Sequence, residues 1–454
     1  MLARTLWTKI CALIALFMGL TVAGAASATT WYFAPNGDDW TTGNGSSSRP
    51  WQNPGYHNAS FQPGDILMIG PGTYTPQWGW GLTASGSPAG GYITLQCAPN
   101  FASKIAVTTQ YMNGISILHG GSYWDIKGCD VSSATATAIT AGGSFSAPYG
   151  PITHIIIDGN YTHDSACMGI GAGANGNNGL PVDYIIFRNN IAYNNARTAT
   201  VDCSGIGLYE PVAADSAPGY HILVQGNISY NNFDCDACHA QTSDGNGIII
   251  DDFLHTQNPG VPYTPATLVE NNLAVNNGGN GIHIFLSQNV TVRNNTAWGN
   301  VQDPKHCGGY EIGSILAVNV QFYDNLAYAT GHTNCNGATI AGLTVLAGGS
   351  AVGTTVGWNM AYNLWGNNFA LISATGVSKP QGNWTGTDPH FAAPFRPTGP
   401  VPASELLAAF TPTTGSKALM PYGGIISDQS PTDITGKTRR THGTADLGVI
   451  QVGN

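Results

Sequence analysis

Three aspartates surround one short run of isoleucines in the segment 243–257, SDGNGIIIDDFLHTQ. Asp244 precedes the run, and Asp251 and Asp252 follow it directly. Only 9% of the residues are charged, so this cluster of carboxylates stands out in the chain. Carboxylates that converge on one groove can bind Ca²⁺ through oxygen ligands, or they can serve as the acid and the base of a bond cleavage. The segment therefore predicts a polar reaction centre beside a buried strand.

Four segments share the frame glycine, apolar, outward, apolar, outward, and they bring further reactive side chains to these aspartates. The segments are SGIGLYEP (204–211), NGIIIDDF (246–253), NGIHIFLS (280–287) and GGYEIGSI (308–315). Stacked on their glycines, they predict a first outward column of Gly207, Ile249, His283 and Glu311. The second outward column is Tyr209, Asp251, Phe285 and Gly313. The corner column is Glu210, Asp252, Leu286 and Ser314.

These columns suggest a role for each side chain. An imidazole can abstract a proton near neutral pH, so His283, supported by Glu311 and with Asp251 nearby, is the predicted catalytic group. Aromatic faces beside carboxylates can hold a sugar ring, and the predicted substrate-binding residues are Tyr209, Phe285 and Glu210. The predicted metal ligands are Asp244, Asp251 and Asp252. A buried lone carboxylate is too costly, so the strand should turn after Asp251 and leave both adjacent acids on one outer surface.

A second repeat must position this frame. Segments such as YIIFRNNIAYNN (184–195) and VTVRNNTAWGN (290–300) each consist of an alternating strand, an asparagine, an apolar pair and usually a second asparagine. The first asparagine recurs every 23 to 45 residues, at Asn160, Asn190, Asn227, Asn272, Asn295 and Asn325. The shortest interval is about one minimal coil of a parallel β-solenoid, and we expect the excess to form loops inserted at one fixed corner. Helical periodicity is almost absent, so the sequence predicts an all-β fold.

The cysteines support this register. Cys167, Cys203, Cys307 and Cys335 each lie two residues before the glycine of the frame, and Cys97 and Cys129 end two earlier strands. Stacking predicts the disulfides 97–129, 167–203 and 307–335. The motif CDACH, 235–239, favours a local 235–238 disulfide over haem attachment or a metal site.

The termini and the charge limit the classes of function. Residues 1–28 have the basic start, apolar stretch and small residues of a signal peptide, which predicts a secreted or periplasmic protein without a membrane span. The net charge is −10, which gives no electrostatic reason to bind nucleic acid. We expect a β-helix with its N-terminal cap over residues 29–375 and a C-terminal coil or capping segment over 376–454. Capped solenoids are commonly monomeric, so we expect a monomer.

These motifs resemble the secreted right-handed parallel β-helix proteins, a superfamily that includes pectate lyases. The N-terminal segments WYFAPNGDDWTTGNGSSSRPW and QPGDILMIGPGTYT, and the C-terminal segment DITGKTRRTHGTADLGVIQ, also resemble the beginning and end of such proteins. The resemblance implies a single-stranded right-handed parallel β-helix. GGNGIHIF is similar to the strand that carries the lysine base of calcium-dependent pectate lyases, with His283 in the place of that lysine.

Three functions remain open from the sequence. The first is calcium-assisted β-elimination on a uronate-containing extracellular polysaccharide, with Ca²⁺ held by Asp244, Asp251 and Asp252 and His283 as the base. The second is hydrolysis of a neutral glycan by paired carboxyl groups, with Asp251 or Asp252 opposite Glu210 or Glu311. The third is glycan binding without catalysis. The acidic net charge disfavours a polyanionic substrate unless a metal ion offsets it.

Overall fold

The structure is a computed structural model. It describes residues 27–142, 150–174, 179–198, 201–235, 238, 242, 244–330, 340–346, 353–357, 359–363, 377, 382–419, 430–440 and 446–452. Residues 1–26 of the predicted signal peptide lie outside this range. Short strands of alternating apolar residues stack into three long sheets. Neighbouring strands within each sheet run parallel to each other.

The strands are grouped by sheet. Sheet 1 contains Thr30–Phe33, Ile66–Ile69, Ile93–Cys97, Trp124–Lys127, Ile152–Asp158, Val182–Arg188, Tyr220–Gln225, Ala266–Glu270, Gln288–Arg293, Val318–Tyr323 and Thr355–Gly357. Sheet 2 contains Trp80–Leu82, Ile115–Ile117, Ile139–Gly142, Ile170–Gly173, Ile206–Tyr209, Ile248–Asp251, Ile282–Phe285, Gly309–Ile315 and Ile340–Leu346. Sheet 3 contains Gly72–Tyr74, Ser103–Val107, Asp130–Ser133, Tyr161–His163, Ile191–Tyr193, Ile228–Tyr230, Leu273–Val275, Thr296–Trp298, Leu326–Ala329, Met360–Asn363 and Trp384–Thr385.

Each coil passes through sheet 1, then sheet 3, then sheet 2, and the next coil begins again in sheet 1. Alternate side chains point inward, because successive residues of a strand face opposite sides. Ile248, Ile250, Ile282 and Ile284 are fully buried in the core enclosed by the sheets. The three parallel sheets confirm the predicted parallel β-helix.

The corner between sheets 1 and 3 is built on a ladder of buried asparagines, as the sequence predicted. In this first asparagine ladder, the backbone N and Nδ2 of Asn227 both donate to Oδ1 of Asn272, at 2.9 and 3.0 Å. The six predicted members are joined by two more, Asn359 and Asn383. Each buried hydrogen bond contributes about 1 kcal/mol net, so the ladder holds neighbouring coils in register.

Loops are inserted at two corners, whereas the sequence led us to expect one. Residues 231–247 and 299–308 connect sheet 3 to sheet 2, and residues 210–219 and 252–265 connect sheet 2 to sheet 1. The corner between sheets 1 and 3 stays short because the asparagine amides must lie directly above one another. The loops of the other two corners rise on both sides of sheet 2.

The C-terminal segment lies along the outer face of sheet 3. Its α-helix, α1 (Ala403–Ala409), and a 3₁₀ turn (Lys417–Leu419) belong to this segment, and two further 3₁₀ turns (Pro54–Tyr56 and Asn58–Ser60) lie near the N-terminus. Phe391, Leu406 and Phe410 pack against Trp298 and Tyr328 of sheet 3. The last strand of sheet 3 lies beyond residue 375, and the predicted domain boundary there stays a prediction.

Three of the predicted disulfides form: Cys97–Cys129, Cys167–Cys203 and Cys235–Cys238. The fourth predicted pair, 307–335, includes residue 335, which lies outside the described residues. Within the described part of the chain, no helix is both long and apolar enough to cross a membrane.

Candidate functional site

The predicted columns form on the outer face of sheet 2 for three of the four coils. Ile249 pairs with Gly207 on one side and His283 on the other. Asp251 pairs with Tyr209 and Phe285, so an aromatic residue lies on the neighbouring strand on each side of it, about 4.8 Å away.

A cavity of about 1000 Å³ covers this face, between the loops on the two sides of the sheet. We call it the sheet 2 cavity. Five predicted site residues line it: Tyr209, Asp244, Asp251, His283 and Phe285. Glu210, Asp252 and Glu311 do not belong to its lining. The structure thus brings together most of the predicted site from three successive coils and from the loop that carries Asp244.

Two carboxyl groups of the cavity have raised pKa values. Burial, then the charges of Asp244 and Asp252, raises the pKa of Asp251 to about 8, although Gln257 Nε2 donates to its Oδ1 at 3.0 Å. Burial, then the charge of Asp202, raises the pKa of Asp244 to about 7, against hydrogen bonds from Ser204 and Asn246. The cavity therefore holds carboxyl groups that are partly protonated near neutral pH.

His283 places an uncharged imidazole on the floor of the cavity. Burial, then the proximity of His306, lowers its pKa to about 3. Its Nδ1 lies 2.5 Å from the hydroxyl oxygen of Tyr310, which also lines the cavity. A second imidazole, His306, has its pKa lowered to about 4 by burial. The two rings can exchange hydrogen bonds with a bound ligand but do not supply positive charge.

The predicted contact between His283 and Glu311 was wrong, because the fourth coil is shifted by two residues. His283 pairs with Gly313, and the fully buried Glu311 accepts hydrogen bonds from the backbone N and Nδ2 of Asn300. Asn300 ends a second asparagine ladder that contains Asn195, Asn232 and Asn277. The next coil has no asparagine to accept from Asn300, and Glu311 supplies this acceptor instead. Glu311 is therefore a structural residue rather than the partner of His283.

The predicted exposure of Asp252 was also wrong. The strand does end at Asp251, and Asp252 adopts a left-handed φ of 49° at the corner, as expected from the cost of burying it on the inner face. Its side chain is nevertheless fully buried, because Thr256 and the backbone N of Gln257 donate to its two oxygens. Glu210 is 3% exposed and accepts hydrogen bonds from Asn258, so it cannot contact a ligand in the cavity.

The three aspartates do not fit the predicted calcium site. Ca²⁺ takes six to eight oxygen ligands. Both oxygens of Asp252 are held by its own loop, and Asp244 is hydrogen-bonded to Ser204 and Asn246. Among the described residues, no group of three or more His, Cys, Asp or Glu side chains could hold a metal ion. Calcium binding stays a prediction.

Several side chains of the cavity escaped the sequence reasoning. They are Asp202, Thr242, Gln257, His306 and Tyr310. Tyr310 was missed because the alignment on Gly309 placed it opposite the core residue Ile282, whereas the structure pairs Ile282 with Ile312. The others lie on loops without a repeat. Among the described residues, those that line the cavity include no lysine or arginine.

Comparisons with known proteins concern the fold. Residues 113–327 match the family model described as a right handed beta helix region. Pectate lyase Pel9A is 18% identical, with 95% of this chain and 98% of that chain covered and a TM-score of 0.51. An alginate lyase from Paenibacillus sp. str. FPU-7 is 15% identical, with 73% and 94% covered and a TM-score of 0.40. A GH136 lacto-N-biosidase from Eubacterium ramulus is 13% identical, with 79% and 58% covered and a TM-score of 0.40. Among the curated proteins, none matches the sequence significantly.

At these identities, the likeness to pectate lyase Pel9A shows the fold and leaves the chemistry open. The region matched by the family model contains the sheet 2 strands of residues 206–315, which form the floor of the cavity. The same fold is indicated by the three parallel sheets, by the coils stacked in register and by the region that the family model matches. The chain is a right-handed parallel β-helix protein.

Proposed function

We propose that this protein hydrolyses a neutral glycan in the sheet 2 cavity, with Asp251 as the general acid. One observation carries the proposal: a carboxyl group with a strongly raised pKa lies between two aromatic side chains on the floor of a large cavity. A general acid must be protonated at the pH of the reaction, and a pKa of about 8 keeps Asp251 protonated at neutral pH.

Hydrolysis requires a second carboxyl group as base or nucleophile. Asp244 is the best candidate because it lines the same cavity and because its charge raises the pKa of Asp251. In the proposed reaction, Asp251 gives its proton to the glycosidic oxygen as the bond to the anomeric carbon breaks. Asp244 then either removes a proton from the attacking water or forms a bond to that carbon that water later breaks.

The charge of the cavity favours a neutral substrate. A uronate polymer would bring carboxylates towards Asp202 and Asp244, and among the described lining residues no lysine or arginine offsets their charge. Tyr209 and Phe285 offer the apolar surface that a sugar ring needs. The polysaccharide-active proteins that share this fold, pectate lyase Pel9A among them, agree with a glycan ligand.

We also propose that the protein acts outside the cytoplasm as a monomer. The signal-like N-terminal segment and the three disulfides support export, because disulfides persist in oxidising compartments. Detection of the processed protein in the extracellular or periplasmic fraction, and its mass in solution, would test these two points.

The first experiment measures reducing ends released from a panel of neutral polysaccharides. Wild-type protein should release them, and Asp251→Asn should lower the rate by at least about 100-fold, as expected for loss of a general acid. Asp215→Asn is a matched control, because Asp215 is exposed and does not line the cavity. Activity of Asp251→Asn equal to that of the wild type would refute the assignment of the acid.

β-Elimination on a uronate polymer is the second candidate, and the pairing of His283 with Tyr310 favours it. His283 would remove the proton beside the uronate carboxyl group, and Tyr310 would protonate the departing oxygen, which leaves an unsaturated sugar. The ultraviolet absorbance of that sugar distinguishes the two reactions. Absorbance that rises with uronate polymers and disappears in His283→Ala would replace our proposal with this one. Binding without any product would indicate a glycan-binding protein.

A further inference from the structure

The wall of the sheet 2 cavity contains a contact between two loops that the proposed reaction does not use. Thr242, from the loop between sheets 3 and 2, pairs with His306 from the equivalent loop two coils further along. The backbone N of Thr242 donates to the carbonyl oxygen of Lys305 at 3.3 Å. Both Thr242 and His306 line the cavity.

Each of these two residues has a buried polar atom without a hydrogen-bond partner. The atoms are Oγ1 of Thr242, in a residue that is 1% exposed, and Nδ1 of His306, in a residue that is 7% exposed. A buried polar atom without a partner costs about 1 to 3 kcal/mol, so most such atoms in proteins are bonded. Because both residues line the sheet 2 cavity, a ligand bound there can provide the missing bonds.

We propose that Thr242 and His306 form a saccharide subsite that binds uncharged hydroxyl groups of the glycan. This inference rests on the proposed function, because it assumes that the sheet 2 cavity takes a sugar. It adds a specificity-determining contact formed by side chains that take no part in the proposed reaction.

The chemistry of the two side chains fits sugar hydroxyls. The threonine hydroxyl can both donate and accept, and a neutral imidazole has one donor and one acceptor nitrogen. Burial keeps His306 neutral at the pH of the reaction, because it lowers the pKa of the ring to about 4. A hydroxyl group, which also donates and accepts, satisfies both atoms, whereas a carboxylate offers acceptors only.

The test compares Thr242→Val with wild-type protein on the neutral oligosaccharide that the wild type cleaves best. We expect KM, and the dissociation constant measured in the Asp251→Asn background, to rise about five- to tenfold for each lost hydrogen bond. His306→Phe should have a similar effect, and His306→Asn, which keeps a polar atom near the position of Nδ1, should restore part of the affinity.

Stability provides a second measurement that a merely structural role would not reproduce. Because Oγ1 of Thr242 lacks a partner, Thr242→Val should leave the melting temperature unchanged or raise it. Thr267→Val is the matched control: its Oγ1 is also buried and without a partner, but it lies in sheet 1 and does not line the cavity. The control should match Thr242→Val in stability while its KM stays at the wild-type value.

The outcomes separate this inference from the proposed function. Unchanged KM and dissociation constant in Thr242→Val, with wild-type cleavage intact, would overturn the subsite and leave the proposed function standing. A lower melting temperature in Thr242→Val would also overturn it, since the hydroxyl would then have a partner in the free protein. Wild-type protein that binds no neutral oligosaccharide of the panel would overturn both.

Discussion

Replacement of Glu311 by glutamine separates a structural carboxyl group from a catalytic one. Glu311 is fully buried and accepts from both nitrogens of Asn300 at the end of the second asparagine ladder. Glutamine keeps the shape and an acceptor oxygen but cannot ionise. We expect Glu311→Gln to retain full glycan cleavage and to change the way in which stability depends on pH.

The magnitude follows from the pKa of Glu311, which burial raises from an ordinary value of 4.5 to about 8. A group with a raised pKa stabilises the folded state fully below its unfolded pKa and loses that contribution as the pH rises towards its folded pKa. Each pH unit in this window costs about 1.4 kcal/mol. Between pH 5 and pH 7, Glu311 ionises in the unfolded chain but stays protonated in the folded protein. The free energy of unfolding of the wild type should therefore fall by about 3 kcal/mol over this range.

Denaturant unfolding of both proteins at several pH values between 5 and 7 measures this difference. The free energy of unfolding of Glu311→Gln should exceed that of the wild type by an amount that grows by about 3 kcal/mol across the range. Parallel pH profiles for the two proteins would refute the raised pKa. Unchanged stability together with a large loss of turnover would show that Glu311 takes part in the chemistry after all.

Three further predictions concern the cavity and the ladder. Asp251→Asn should lower kcat by at least about 100-fold while the dissociation constant for a neutral oligosaccharide changes little, as isothermal titration would show. The pH profile of kcat/KM should be bell-shaped, with a rise near the pKa of Asp244, about 7, and a fall near the pKa of Asp251, about 8; a profile flat across this range would contradict the paired carboxyl groups. Asn232→Ala should lower the free energy of unfolding by about 3 kcal/mol, because it leaves two buried donors of Asn195 without an acceptor, and a loss below 1 kcal/mol in denaturant unfolding would show that the ladder contributes little.

The parts of the fold that repeat could be predicted from the sequence. The asparagine of each coil must lie above that of the coil before, so one column fixes the register of sheet 1 and sheet 3. The alternation around Ile248 and Ile250 then determines that Ile249 and Asp251 face outward. Because a lone inward carboxylate is too costly, the strand also had to turn at Asp252.

The fourth coil was misplaced because Glu311, and not a glycine, occupies the position of Gly281 in it. Gly309 could be aligned with Gly281, but the structure pairs Ile282 with Ile312. The sequence contained one signal for the correct choice: Thr330 stands where the second asparagine ladder would continue, so Asn300 needs another acceptor, and Glu311 provides it. This signal can be used only after the second asparagine ladder has been recognised in the sequence.

The loop residues of the cavity could not be predicted, because loops follow no period. Asp202, Thr242 and His306 come from segments of different length, and only their three-dimensional path brings them to the same cavity. Burial of Asp252 was missed for the same reason, since the hydrogen bonds that cover it come from the loop that follows.

The C-terminal segment along sheet 3 has a consequence for how the protein unfolds. In a plain solenoid each coil contacts only its neighbours, so the two ends can fray independently. Here residues of the C-terminal segment contact Tyr230, Asn271, Trp298 and Tyr328, which belong to four different coils, and so tie together turns that share no direct contact. Detachment of the C-terminal segment would expose a long row of aromatic side chains on sheet 3. Detachment of this segment and unfolding of the middle coils should therefore occur as one cooperative event.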